Sequence, residues 1–145
     1  MDTDQPIKHL AIIPDGNRRW ARAKGLPVVV GHQQAAEKVL PKLVDKAYEL
    51  GIKNFTFWAL STENIKRREK KELDALFKLI DVYTKTRLGD FQKKGYRFLT
   101  VGDLTGLPLS IQANLQRAKE NTKTNTKINV ILGLNYGGRD ELLRA

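Results

Sequence analysis

Short, β-branched apolar runs alternate with stretches of helical periodicity along this chain, and that alternation most narrows what it can fold into. Residues 8–13 (KHLAII) read as a strand that ends at the turn signal Pro14-Asp15-Gly16-Asn17. Over residues 32–50 the apolar positions Ala36, Leu40, Leu43, Ala47 and Leu50 recur at helical spacing, and Gly51 is a good stop. Pro41 lies inside that pattern and predicts a kink. Residues 54–60 (NFTFWAL) read as a second strand. Residues 70–91 carry Leu73, Leu76, Phe77, Ile80, Tyr83, Arg87 and Leu88 on one helical face, closed by Gly95. A third strand spans 96–101 (YRFLTV). A helix follows over 108–122, with Leu109, Ala113, Leu115 and Ala118 as its inward residues. A fourth strand spans 127–134 (KINVILGL), and residues 140–145 start another helix. The order βαβαβαβα predicts an α/β fold: a parallel-stranded sheet with helices on both faces.

The chain has 145 residues, enough for a single domain, taken as 1–145, with a real apolar core. It contains no cysteine, which excludes disulfides, thiolate metal sites and a cysteine nucleophile. Two histidines, His9 and His32, are too few for a multi-histidine metal centre. The N-terminal stretch MDTDQPIKHL lacks the pattern of an export signal, and no apolar run approaches membrane-spanning length, so a cytoplasmic location is expected. Lys plus Arg number 26 against 16 Asp plus Glu, a formal net charge of +10. That charge attracts nucleic acid, an acidic membrane surface or a phosphorylated small molecule, and cannot by itself choose among them. Neither G-x-x-x-x-G-K-[ST] nor G-x-G-x-x-G is present, so a kinase or dinucleotide enzyme has no support.

In open parallel sheets, ligands bind beyond the C-terminal strand ends, so the loops there matter most. After the first strand come Asp15, Gly16, Asn17, Arg18, Arg19, Trp20 and Arg22. The glycine permits a tight turn, and the arginines are bidentate donors for phosphate. Asp15 is a lone carboxylate in this cationic loop, which makes sense if a divalent cation bridges it to phosphate oxygens. An Asp-Gly turn with solvated arginines is an equal reading of the same residues. After the second strand come Ser61, Thr62, Glu63, Asn64, Arg67 and Arg68, which read as a helix cap followed by exposed charge, or as a second wall of a basic cup. His32, behind Gly31, reads as a helix-start residue or a phosphate ligand. The loop at Asn135-Tyr136-Gly137-Gly138 reads as a structural turn.

These segments together resemble a known family. HLAIIPDGNRRWA, the pair Gly31-His32, FWALSTENIKR, VGD and NYGGRDEL are similar, in order and spacing, to the cis-prenyltransferases of the undecaprenyl diphosphate synthase group. The resemblance implies elongation of an allylic diphosphate, usually farnesyl diphosphate, with isopentenyl diphosphate in cis geometry to give a polyprenyl diphosphate. It also implies Mg²⁺, a homodimer, a hydrophobic tunnel for the growing chain and an association with membrane through the lipid product. By the same resemblance Asp15 holds Mg²⁺ against the allylic diphosphate. Gly16, Asn17, Arg18 and Arg19 cradle its phosphates with Trp20 alongside, and His32 contacts the same group. Ser61, Thr62 and Glu63 line the site, Asn64 accepts a proton, and Arg67 contacts substrate.

Three departures stand out. Val28 occupies the position where the family usually has an arginine, and Ile65 replaces a common aromatic. The C-terminal arginines and glutamate of the family do not follow NYGGRDEL, so the resemblance implies the N-terminal portion of such an enzyme, inactive alone. A diphosphate-binding relative without turnover, or a partner subunit, is the alternative. A nucleic-acid-binding module rests on the charge alone, with no zinc finger, helix-turn-helix or RNP-like motif in its favour, so nucleic acid is not an expected partner.

Overall fold

The computed structural model describes residues 7–145; of the N-terminal stretch considered for an export signal, residues 1–6 lie outside them. Among the described residues four strands form: β1 (His9–Ile12), β2 (Asn54–Ser61), β3 (Tyr96–Val101) and β4 (Ile128–Tyr136). They make one fully parallel sheet in the order β1-β2-β4-β3. The register sets Leu10, Phe55, Val130 and Phe98 in a row across all four strands. Phe55, Val130 and Phe98 in that row are buried, and they belong to the core shared with the helices. The next row down the pleat, His9, Asn54, Asn129 and Arg97, faces the other way and is polar. There Asn129 donates to Asn54 Oδ1 at 2.8 Å, and His9 Nε2 lies 2.8 Å from Thr56 Oγ1. The sheet is thus buried deeply on one face and only partly on the other.

Among the described residues seven α-helices connect and flank the strands: α1 (Asn17–Ala23), α2 (Val28–Gln34), α3 (Leu40–Glu49), α4 (Thr62–Arg67), α5 (Lys70–Lys94), α6 (Leu109–Asn121) and α7 (Gly138–Arg144). Gly95, at φ 71°, closes α5 where expected. The expected kink at Pro41 is absorbed differently. The helical run starts earlier, at Val28, and a π-helical turn, Ala35–Val39, joins α2 to α3 with Pro41 in the first turn of α3. Proline there cannot bond the Glu37 carbonyl four residues back. Arg87 Nη2 of α5 donates to that carbonyl instead, at 3.1 Å.

Three expected inward residues are exposed: Leu50, Leu109 and Ala113. Leu50 sits at the C-cap of α3, where Gly51 turns the chain away. In α6 the buried phase is Ile111, Leu115 and Ala118, continued by Thr122, and Leu109 and Ala113 fall outside it. Thr122 pins this helix to the sheet. Its Oγ1 accepts from the Phe98 N–H at 2.9 Å and donates to the Ala118 carbonyl at 2.8 Å.

One irregularity aims the site. Trp58 pairs with Gly133 and Leu60 with Leu134, so Ala59 is an extra residue in β2. The bulge turns Leu60, not Ala59, into the core, and delivers Ser61 to the start of α4.

Candidate active site at the strand ends

Beyond β1, Asp15 is exposed, with 82% of its side chain accessible. Its Oδ2 accepts from Arg19 Nη2 at 2.9 Å and its Oδ1 from the Gly16 N–H at 2.6 Å. The Arg19 hydrogen bond, then that of Gly16, holds the carboxyl below the ordinary value of 3.8, so it is ionised at neutral pH. Gly16 has φ 91°, a conformation suited to glycine, and opens α1. Gly31 serves contact rather than conformation: a Cβ there would strike the Asn17 backbone carbonyl and crowd Ala21. Its bareness seats α2 directly on α1 and brings His32 to the loop.

Beyond β2, Ser61 Oγ accepts from the Asn64 N–H at 3.1 Å and caps α4. The chain breaks between α4 and α5 at Arg68-Glu69, then re-enters helix with Glu72 in its first turn. Glu72 joins the two loops. Arg68 Nη1 donates to Glu72 Oε1 at 3.0 Å, Arg18 Nη2 lies 3.8 Å from Oε2, and His32 Nε2 lies 3.9 Å from Oε1.

Adjoining cavities meet at this cluster. The largest, about 620 Å³, is bordered by Arg18, Arg22, Val28, His32, Asn64, Arg67 and Arg68. A second, about 330 Å³, lies among Asp15, Gly16, Asn17, Arg18, Arg19 and His32. A third, about 190 Å³, reaches Ser61, Asn64 and Trp58. The fourth is a narrow apolar slot of about 60 Å³ between Leu40, Phe57, Leu60, Leu76, Ile80 and Leu132, which shares Pro14, Asn17 and His32 with the second and third. His32 borders all four. Burial, followed by the Arg68 charge, pushes its pKa below 6.5 against the opposing pull of Glu72, so the imidazole is neutral at pH 7.

The structure therefore brings together Asp15, Gly16, Asn17, Arg18, Arg19, His32, Ser61, Asn64 and Arg67. Three other expected site residues stand apart from these cavities. Trp20 is on the surface with Lys24 Nζ 5.4 Å from its ring centroid. Glu63 is exposed. Thr62 lies beneath Gly137, where a Cβ would strike its Oγ1, so the Gly137 turn packs the β4 loop onto the β2 loop. The sequence gives Arg68 as exposed charge or as part of the wall of a basic cup, and does not single out Glu72. Their i,i+4 spacing is the available signal, but it runs across the break between α4 and α5 rather than along one helix. Among the described residues no three His, Asp or Glu side chains cluster as a metal cage. Asp15 alone fits a hard divalent ion of the kind held by one carboxylate plus substrate phosphate.

The chain is similar to known proteins. The family model described as "Putative undecaprenyl diphosphate synthase" matches residues 13–145. An isoprenyl transferase of Clostridium perfringens is 43% identical over 141 residues, covering 97% of this chain and 55% of that protein. The structure of lavandulyl diphosphate synthase from Lavandula x intermedia, in complex with dimethylallyl diphosphate, superposes with a TM-score of 0.89 at 32% identity, covering 95% of this chain and 58% of that one. A probable undecaprenyl diphosphate synthase from Campylobacter jejuni gives a TM-score of 0.79 at 33% identity, covering 97% and 60%. The chain thus spans little more than half the length of the proteins it matches.

Proposed function

The chain belongs to the undecaprenyl diphosphate synthase family, and from that premise we propose that it carries the allylic half-site of an isoprenyl transferase that extends an allylic diphosphate with isopentenyl diphosphate in cis geometry. The observation that carries this reading is the junction at His32, which borders both an arginine-lined cleft and a slot walled by Leu40, Phe57, Leu76 and Ile80. A polyanionic head matches the first environment in charge and a hydrocarbon tail matches the second in polarity, whereas duplex nucleic acid matches only the first. The related structure that holds dimethylallyl diphosphate supports the ligand class.

In this reading the allylic C–O bond breaks and its electron pair leaves with pyrophosphate. The isopentenyl double bond attacks the allylic carbon and leaves a tertiary cation on the isopentenyl unit; a proton departs from the carbon beside that cation, and its C–H electrons form the new double bond. Arg18, Arg19 and Arg67 stabilise the charge that builds on the leaving group, where preorganised donors act most strongly. Asn64 lies within the polar clefts to take the departing proton. The apolar slot keeps water from the cation. Asp15 would hold Mg²⁺, which supplies charge neutralisation to the diphosphate. A homodimer and a membrane association through the lipid product belong to the same reading.

The test is calorimetric titration with farnesyl diphosphate and Mg²⁺ at physiological salt. Farnesyl diphosphate is expected to bind, farnesol to bind far more weakly, and duplex DNA not to compete. Asp15→Ala is expected to remove the Mg²⁺ dependence while leaving the thermal midpoint near wild type. DNA competition, or a Mg²⁺ dependence untouched by the substitution, overturns the assignment. Val28, an apolar side chain on the wall of the largest cleft, favours a second reading, a diphosphate-binding relative without turnover. Incorporation of radiolabelled isopentenyl diphosphate separates the two.

A further inference from the structure

The candidate site occupies the C-terminal strand ends, and the opposite end of the sheet carries a row of lysines. Lys8 directly precedes β1, Lys53 precedes β2 and Lys127 precedes β4. The backbone sets them side by side. The Lys53 N–H donates to the Lys8 carbonyl at 2.9 Å, the Asn129 N–H to the Lys53 carbonyl at 2.9 Å, and the Lys127 N–H to the Gly95 carbonyl at 3.1 Å. Neighbouring strands lie about 4.8 Å apart, so the row crosses the base of the sheet. All three lysines are exposed.

Other lysines at this end have local reasons to be there. Lys94 ends α5 and lies 2.6 Å from Asp45, Lys46 in the last turn of α3 lies 2.9 Å from Glu49, and Lys123, just past α6, lies 3.1 Å from Glu120. Cations at helix C-termini also answer the helix dipole. The strand-start lysines have neither reason. Those three carboxylates are taken, and among the described residues Lys8, Lys53 and Lys127 form no ion pair. Lys127 instead holds its Nζ 5.8 Å from the Tyr48 ring centroid. Apolar side chains flank the row. Ile7, next to Lys8, is 69% exposed, and Leu50, at the C-cap of α3 just before Lys53, is 66% exposed.

Clustered lysines are drawn to an anionic bilayer surface, and apolar side chains beside them enter the boundary between headgroups and acyl chains. A nucleic-acid backbone would use the lysines and gain nothing from Ile7 and Leu50. A second copy of the chain would bring only like charge to this face.

We propose that the base of the sheet is a membrane-docking face, on which Lys8, Lys53 and Lys127 meet anionic lipid headgroups while Ile7 and Leu50 enter the headgroup boundary. This docking is made by the protein's own side chains and needs no bound isoprenoid, so it does not rest on the prenyl reading. The eight residues of β2 hold the two ends of the sheet about 26 Å apart, so a membrane at the base leaves the clefts around Asp15 and His32 facing the aqueous phase.

The experiment is cosedimentation of the chain, free of isoprenoid, with vesicles of equal parts phosphatidylcholine and phosphatidylglycerol, and with vesicles of phosphatidylcholine alone. Binding is expected to the anionic vesicles only, and to be lost at molar salt. Replacing Lys8, Lys53 and Lys127 together by Gln is expected to weaken it about a hundredfold, about fivefold per lysine. The same change at Lys38, Lys42 and Lys78, three exposed lysines away from the strand starts, is expected to weaken it less than tenfold. Leu50→Ser is expected to weaken it severalfold at an unchanged thermal midpoint. The chain has no cysteine, so Leu50→Cys carries an environment-sensitive fluorophore at one place. Its emission is expected to shift to the blue on anionic vesicles, and the same label at Leu142→Cys, exposed on α7 at the other end, is expected not to shift. Equal binding to both vesicle types, equal losses in the two triple variants, or a shift at position 142 and none at 50 overturns the proposal. So does displacement from the vesicles by duplex DNA, which would make the face a nucleic-acid surface. If anionic vesicles bind and farnesyl diphosphate does not, the docking face stands and the prenyl reading falls. If farnesyl diphosphate binds and the vesicles do not, the reverse holds.

Discussion

Val28 opens α2 on the wall of the largest cleft, alongside Arg18 and Arg22. An arginine at this position would reach the same space as those two. Val28→Arg is therefore expected to tighten farnesyl diphosphate binding about tenfold or more, the worth of one charge-assisted contact. Calorimetry checks it, and no gain would mean that position 28 does not reach the phosphate. His32 supports a second prediction. Its pKa in the folded chain is lowered from 6.5, chiefly by burial. The unfolded chain therefore binds more protons as pH falls through 6.5, so this residue's contribution to stability is present above that value and is lost below it. Thermal melts at stepped pH are expected to show the loss, and His32→Gln to flatten that part of the profile. The residue identities around the strand ends were legible in the sequence as phosphate chemistry. Glu72 was not, because a carboxylate in the first turn of a helix ordinarily answers the helix dipole, and only the approach of Arg18 and His32 from other elements makes it a hub.

At the scale of elements, the site depends on α2 lying close against α1. Gly31→Ala inserts a Cβ into the Asn17 carbonyl, and overpacking of this kind costs about 1–3 kcal/mol. Denaturant melts are expected to show that loss together with weaker diphosphate binding, since His32 follows Gly31 directly. A variant of wild-type stability would show that the two helices part without cost. Strand 96–101 is legible in the sequence with its observed bounds, and α5 with its Gly95 stop, because a short apolar run and a left-handed glycine are local signals. The π-helical turn before Pro41 was not legible. Its stability draws on Arg87, 50 residues away, which bonds the Glu37 carbonyl. The bulge at Ala59 escaped for the same reason, since an extra residue in β2 is defined only against β4.

For the whole molecule, ligand linkage gives the simplest test. A ligand that binds only the folded chain stabilises it by about 2.7 kcal/mol at a hundredfold excess over Kd, which for a chain of this size corresponds to a rise of about 5–10 °C. Farnesyl diphosphate with Mg²⁺ is expected to produce such a rise and farnesol is not; equal shifts would assign binding to the apolar slot alone. By itself, the sequence determined the α/β class, the alternation of elements and the family, because apolar period, turn residues and motif order are written in neighbouring positions. The strand order β1-β2-β4-β3, the deep burial of one sheet face and the meeting of Arg18, His32, Arg68 and Glu72 were decided by tertiary structure. Each depends on which distant elements pack together, and a charge acquires its partner only when the chain has brought the two within a few ångströms.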